Sequence, residues 1–265
     1  MTARGLQIAK PLVGCRMCRD PFCSLAMMTT ARILAIALCA LVVACATPEV
    51  VRDPSSPAAR GLVDLRTLKQ EWKYDIRYAT RSNFTGEQLY PYAGAWLQRD
   101  AAIALRRVQR DLHREGLGLK IYDGYRPLHV QQKMWDLIRD ERYVSNPAKN
   151  AGRHTRGTAV DVTLVDARGR ELPMPTPFDD FTEKAHRDAQ NIPPAARRNS
   201  ERLARVMARH GFIPYPYEWW HFDFAGWEKY PPLDVPLTSL ATSRSKARHL
   251  HLDCFPSPSR ANSSR

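Results

Sequence analysis

Two short stretches of this chain hold residue types that together could bind a metal ion and cut a polar bond. In Gly152-Arg153-His154-Thr155-Arg156-Gly157-Thr158-Ala159-Val160-Asp161, an imidazole and a carboxylate stand seven residues apart, with Gly157 and small residues between them. A loop of that composition can fold so that both side chains meet one ion, because glycine admits the tight backbone it needs. In Glu218-Trp219-Trp220-His221 a carboxylate and an imidazole stand three residues apart, flanked by aromatics that would exclude water. Together His154, Asp161 and His221 supply two imidazoles and one carboxylate. That is the ligand count of a catalytic zinc, which keeps one position open, whereas a structural zinc closes with four protein ligands. One Zn2+ per chain is therefore expected, to polarise a carbonyl and to lower the pKa of bound water to about 7. Glu218 neighbours a ligand without being needed as one, so it is the candidate general base.

Each residue alone has a plainer reading: a turn histidine, a turn-capping aspartate, a packed aromatic corner. The conjunction of the two stretches favours a metal site. The other histidines compete poorly. His113 falls on the exposed side of a helix, His129 near the start of another, and His210 at a helix C-terminus, where a cation suits the dipole.

The elements that must position these groups follow from patterning. Asp100 is expected to cap a helix with Ala101, Leu105, Val108 and Leu112 on its apolar face, closed by Gly116. Leu117, Leu119 and Ile121 alternate as a strand running into Tyr122-Asp123-Gly124-Tyr125-Arg126-Pro127. Pro127 suits the first turn of a second helix, with Val130, Met134, Leu137 and Ile138 inward. Residues 159–165 are β-rich, and Pro173 to Phe181 is a turn-rich loop. A third helix is predicted from about Ser200 to His210, with Leu203, Val206 and Met207 inward, and His221 to Phe224 alternate as a last strand. Helices and strands interleave without a βαβ period, which predicts an α+β fold. The expected architecture is a small single catalytic domain, with a central antiparallel sheet flanked by helices and the zinc site at the sheet.

At 44% hydrophobic and 25% charged, the 265-residue chain has the composition of a globular protein. The net charge of +13 sits partly at the two ends, and the body has no long like-charge run and no aromatic-basic RNA motif, so no nucleic-acid partner is expected. No protein partner can be inferred. No cysteine lies between Cys45 and Cys254, which argues against a disulfide framework. Arg32 followed by the 12 apolar residues Ile33 to Ala44 fits a signal-peptide core and falls short of a membrane span. Val42-Val43-Ala44-Cys45 resembles a lipoprotein signal, with Cys45 as the lipidation site and membrane anchor. The expected organisation is an upstream extension over 1–26, a lipoprotein signal over 27–45, a flexible linker over 46–61, the catalytic domain over 62–236 and a disordered basic tail over 237–265. Ala46 after the cysteine points to a periplasmic lipoprotein anchored at the outer membrane.

At these motifs the chain resembles the D-alanyl-D-alanine dipeptidases of the vancomycin-resistance type, within the zinc D-Ala-D-Ala metallopeptidases. Their S-x-H-x-x-G-x-A-x-D and E-x-x-H patterns stand here as GRHTRGTAVD and EWWH. Tyr74 to Gly86 is similar to the family's N-terminal substrate segment, Tyr122 to Pro127 to its D-G-Y-R-P motif, and Phe178-Asp179 to its F-D element. The resemblance implies zinc on His154, Asp161 and His221, Glu218 as general base, and Arg126 stabilising the oxyanion. It also implies that Asp179 binds the α-ammonium of D-Ala-D-Ala or a related D,D-dipeptide, with Tyr78 lining the pocket. Arg126 as a structural ion-pair partner, Asp179 as a turn residue and Tyr78 as aromatic packing are the competing readings. Gly152 stands where the family has serine, so a side-chain hydrogen bond to substrate is expected to be missing. Alternatives to the dipeptidase are a peptidoglycan D,D-carboxypeptidase or endopeptidase on the same scaffold, and a non-catalytic cell-wall-binding lipoprotein.

Overall fold

The chain divides into residues 1–46 and 47–265, and the computed structural model describes residues 49–241. The predicted extension, signal and lipidation site at Cys45, and the tail beyond Ala241, lie outside the described residues.

In chain order the elements are α1 (Pro57–Arg60), β1 (Leu62–Asp64), β2 (Lys73–Tyr74), β3 (Trp96–Gln98), α2 (Arg99–Arg114), β4 (Leu117–Asp123) and α3 (Leu128–Ile138). They continue with β5 (Ala159–Asp166), α4 (Pro194–Arg209), β6 (Phe212–Pro214) and β7 (His221–Phe224). Five strands form one sheet in the order β2-β4-β5-β7-β6, and β1 and β3 pair as a separate antiparallel ribbon. The α+β expectation holds. The sheet is antiparallel except at one edge, where β2 runs parallel to β4. Helices α2 and α4 pack on each other, α2 against β4 and α4 against β5 and β6.

Strand β5 is buried from Ala159 to Val165, so both of its faces are covered and it reads as a continuous apolar run broken only by Asp161 and Thr163. Its register does the positioning. Asp161 pairs with His221 on β7 and with Asp123 on β4, after a register shift between Ile121 and Asp123. Three polar side chains are thereby set side by side across three neighbouring strands at one end of the sheet.

Several sequence expectations shift. Gln98, not Asp100, is the N-cap of α2; it makes no side-chain capping bond, and Asp100 falls in the first turn, where a carboxylate suits the helix dipole. In α3, Leu137 is 60% exposed while Gln131 is buried, because a polar group of the site needs that face. Helix α4 starts at Pro194, well before Ser200, with proline in its first turn. His210 Nε2 donates to Asp111 Oδ2 at 2.7 Å, so a carboxylate on α2 meets its ring.

Both domain edges also move. Ser56 caps α1 by accepting from the Ala59 amide, Ala59 is buried, and Val51 bridges Leu233, so much of the predicted linker is folded onto the domain. At the other end residues 237–241 are helical, with Leu237 and Leu240 buried in the core. Proline and serine in the linker mark a helix start there, not flexibility. Among the described residues no helix is long and apolar enough to cross a membrane.

Candidate active site

His154 lies on a short 3-10 turn, His154–Arg156, closed by Gly157 at φ +68°. A side chain at Gly157 would place its Cβ 2.5 Å from Leu62 Cδ2, so both the backbone conformation and the close approach of β1 require glycine. The His154 ring is buried and its Nδ1 stands 2.7 Å from the Gly124 carbonyl. A carbonyl only accepts, so Nδ1 carries the hydrogen and Nε2 presents its lone pair inward. His221, at the head of β7, turns Nε2 to Asp223 Oδ1 at 2.9 Å and Nδ1 to Asp161 Oδ1 at 3.0 Å.

The inward atoms converge. His154 Nε2 and His221 Nδ1 are 3.1 Å apart, and His154 Nε2 is 3.4 Å from Asp161 Oδ2. Zinc–ligand bonds of about 2.0–2.1 Å in tetrahedral geometry imply donor spacings of roughly 3.3 Å. The three residues therefore fit a single ion, and they are the one such group of His, Cys, Asp and Glu among the described residues. The electrostatics agree. Burial alone would lower the His221 pKa, but Asp223 and Asp161 outweigh it and push it up to about 10. Asp161, although burial opposes its charge, is held well below the usual carboxylate range by His154 and His221. The centre demands positive charge, which a divalent cation supplies in place of a proton.

Glu218 is buried, with Oε2 3.8 Å from His221 Nδ1, and burial pushes its pKa well above the usual value while His221 pulls against it. The loop that carries it is tied down by Arg187, whose guanidinium donates to the Tyr215, Trp219 and His221 carbonyls at 2.7, 2.9 and 3.2 Å. Arg126 is buried and forked onto Asp123, with Nη2 at 2.7 Å and Nε at 3.1 Å, and its Nη1 donates to Gln131 at 3.0 Å. Asp123 in turn accepts from the Tyr90 hydroxyl and the Gly124 amide, both at 2.8 Å. The guanidinium so held lies 4.0 Å from Asp161 Oδ2.

Asp179 sits across the cavity in the left-handed region at φ +62°, an uncommon conformation for a residue with a side chain. The Tyr78 hydroxyl reaches its carboxylate at 3.0 and 3.1 Å. Burial, aided by the charge of Asp161, pushes the Asp179 pKa up to about 8, while the Tyr78 hydroxyl and Arg126 pull against it. Both residues line one cavity with His154, Asp161, His221, Arg126 and Glu218; its open volume, mouth included, is about 570 Å³. All the predicted site residues within the described range are thus brought together.

Sequence reasoning missed Asp223, Asp123, Gln131 and Arg187. Asp223 was legible as the polar residue two past a ligand on the same strand face, while the others depend on tertiary contacts. The consequence drawn from Gly152 also changes. It lies at φ +79°, and a Cβ there would fall 3.2 Å from the Ser145 hydroxyl, so a hydroxyl from another loop occupies that neighbourhood.

A buried His-Asp-His centre with an adjacent carboxylate, set at one end of a mostly antiparallel sheet, defines a mononuclear metallohydrolase. The family model described as D-ala-D-ala dipeptidase matches residues 58–234. Among curated proteins, the D-alanyl-D-alanine dipeptidase of Escherichia coli is 37% identical over 172 residues, covering 65% of this chain and 89% of that protein. The D-alanyl-D-alanine dipeptidase of Enterococcus faecalis is 31% identical over 191 residues, covering 64% and 94%. A solved vancomycin-resistance D,D-dipeptidase, VanXYg with a D-Ala-D-Ala phosphinate analogue, aligns at 17% identity and TM-score 0.34, covering 61% of each chain. The chain belongs to the D-Ala-D-Ala dipeptidase family and is a zinc metallopeptidase.

Proposed function

We propose that this chain hydrolyses D-alanyl-D-alanine, or a closely related D,D-dipeptide, to free amino acids. The observation that carries the reading is the pairing, in one cavity, of the His154–Asp161–His221 centre with a further carboxyl group at Asp179, held by the Tyr78 hydroxyl. A carboxyl group there offers an ion-pair partner to a free α-ammonium, which a longer peptide does not carry at that position.

In this reading His154, Asp161 and His221 hold zinc, which when bound supplies Lewis acidity toward a peptide carbonyl and an acidified water. Glu218 takes a proton on its carboxylate and returns it to the leaving amine; its raised pKa keeps the protonated form accessible at neutral pH. Arg126, fixed by Asp123 and Gln131, aims positive charge at the oxygen where negative charge develops, and a fixed donor contributes more in a dry site than in water. Asp179 and Tyr78 hold the ammonium end, which sets the scissile bond one residue away.

The test is turnover of D-Ala-D-Ala, L-Ala-L-Ala and a pentapeptide stem by the zinc-loaded protein and by Glu218→Gln. Hydrolysis confined to the D,D-dipeptide is expected, falling by about 10²–10⁴ in the variant with zinc content retained. Preferential release of D-Ala from the stem would replace the reading with the carboxypeptidase one.

The proposal extends to the cell envelope, with Cys45 lipidated and the domain held at a periplasmic membrane surface. Its support is the apolar run of residues 33–44 ending at that cysteine. Palmitate labelling should be lost in Cys45→Ser; equal labelling of both proteins would remove the anchor.

A further inference from the structure

The dipeptide of the proposed reaction carries a carboxylate as well as an ammonium, and a buried carboxylate needs a cation or several donors to face it. Among the residues lining the cavity, two carry a permanent positive charge, Arg126 and Arg153. Arg126 is committed: its fork is engaged by Asp123 and its remaining amino group by Gln131.

Arg153 is differently placed. It precedes His154 directly, and its backbone is pinned where its carbonyl accepts from the Arg156 and Thr158 amides, each at 3.1 Å, and from the Thr158 hydroxyl at 3.2 Å. Its guanidinium lies 4.4 Å over the Trp227 ring, which fixes the plane of the fork without using its donors. Its carboxylate neighbour is Asp223, whose Oδ2 pairs with Nε at 3.5 Å, long for a charge-assisted hydrogen bond, while Oδ1 faces His221. Nε is buried and has no hydrogen-bond partner among the described residues. A stacked, oriented guanidinium whose side chain is 28% exposed at the wall of a substrate cavity is a receptor for a planar anion.

The geometry points to Arg153 as the residue that receives the substrate's C-terminal carboxylate, a specificity determinant that nothing in the zinc centre itself requires. The inference rests on the dipeptidase reading. The site then recognises its substrate by both ends, with Asp179 and Tyr78 at the ammonium and Arg153 at the carboxylate, and the free acid becomes a condition for binding. A peptide extended at its C-terminus, or a C-terminal amide, lacks an anion at the place of Arg153.

Two measurements test this. Kinetics compares D-Ala-D-Ala with its C-terminal amide, using the wild type, Arg153→Gln and Arg153→Lys. Calorimetry compares binding of the same two compounds to Glu218→Ala and to Glu218→Ala/Arg153→Gln, so that it does not depend on turnover. The intact protein should prefer the acid by about 10- to 100-fold, the range of one charge-assisted fork. Arg153→Gln should raise KM for the acid by that factor, leave KM for the amide and the zinc content unchanged, and so erase the preference; lysine should restore part of it. Retention of the acid preference in Arg153→Gln, or equal binding of acid and amide before substitution, overturns the assignment. Loss of binding to both compounds alike would mark Arg153 as merely structural, which also overturns it. Absence of dipeptide turnover in the wild type, with the acid preference in binding intact, would sink the dipeptidase reading and leave the carboxylate receptor standing.

Discussion

At the scale of single residues, the site is built from pairs in which one side chain acts and another aims it. Asp223 aims His221 as the Gly124 carbonyl aims His154, and Asp123 does the same for Arg126. Such partners govern a ligand's tautomer and basicity, and their loss typically lowers metal affinity about 10- to 100-fold. Asp223→Asn is therefore expected to weaken zinc binding by that factor while thermal unfolding of the apoprotein changes little, read by competition with a chromophoric chelator; unchanged affinity would mean that Asp223 does not orient His221. The actors were legible in the sequence because each chemistry demands a narrow set of residue types: His154, Asp161, His221 and Glu218 announce themselves by spacing. The aiming residues were not. Asp123 stands in the D-G-Y-R-P motif, but the motif does not say that it holds Arg126, and nothing in the sequence distinguishes Arg187 from any other arginine until the fold brings three backbone carbonyls to its guanidinium.

At the scale of elements, the decisive feature is the turn that joins the His154 segment to β5. It fits only because Gly157 adopts φ +68° and leaves room for Leu62. Gly157→Ala should destabilise the fold by more than about 2 kcal/mol, combining the left-handed penalty with overpacking. Gly116→Ala is the control: its φ of +70° carries the same backbone cost, but no atom lies within 4 Å of the added Cβ. The difference between the two in chemical denaturation isolates crowding, and equal losses would show that crowding contributes nothing. Strands β4, β5 and β7 were readable from alternation or from a β-branched run. The parallel edge strand β2 was not, since two residues are too few to show a period. Leu137 misled because apolar spacing on α3 cannot reveal that the buried face holds Gln131 for Arg126.

At the scale of the whole molecule, the fold class and the membership of the central domain were legible, and its edges were not. Leu240 at one end belongs to the core and Val51 at the other packs against it, although their surroundings are rich in proline, serine and arginine. Composition averages over a window, whereas docking is decided by one or two apolar side chains. The same economy of contacts links distant parts of the catalytic domain. Gly124 presses its backbone so closely on β3 that an added Cβ would lie 2.7 Å from the Trp96 carbonyl, while its own carbonyl receives the His154 hydrogen. The β1–β3 ribbon, which bears no candidate catalytic group, thus packs against the backbone that sets a metal ligand's tautomer and orientation. Variation that looks silent in that ribbon is inherited by the chemistry, and a search for drift in activity among relatives should begin there as much as in the cavity.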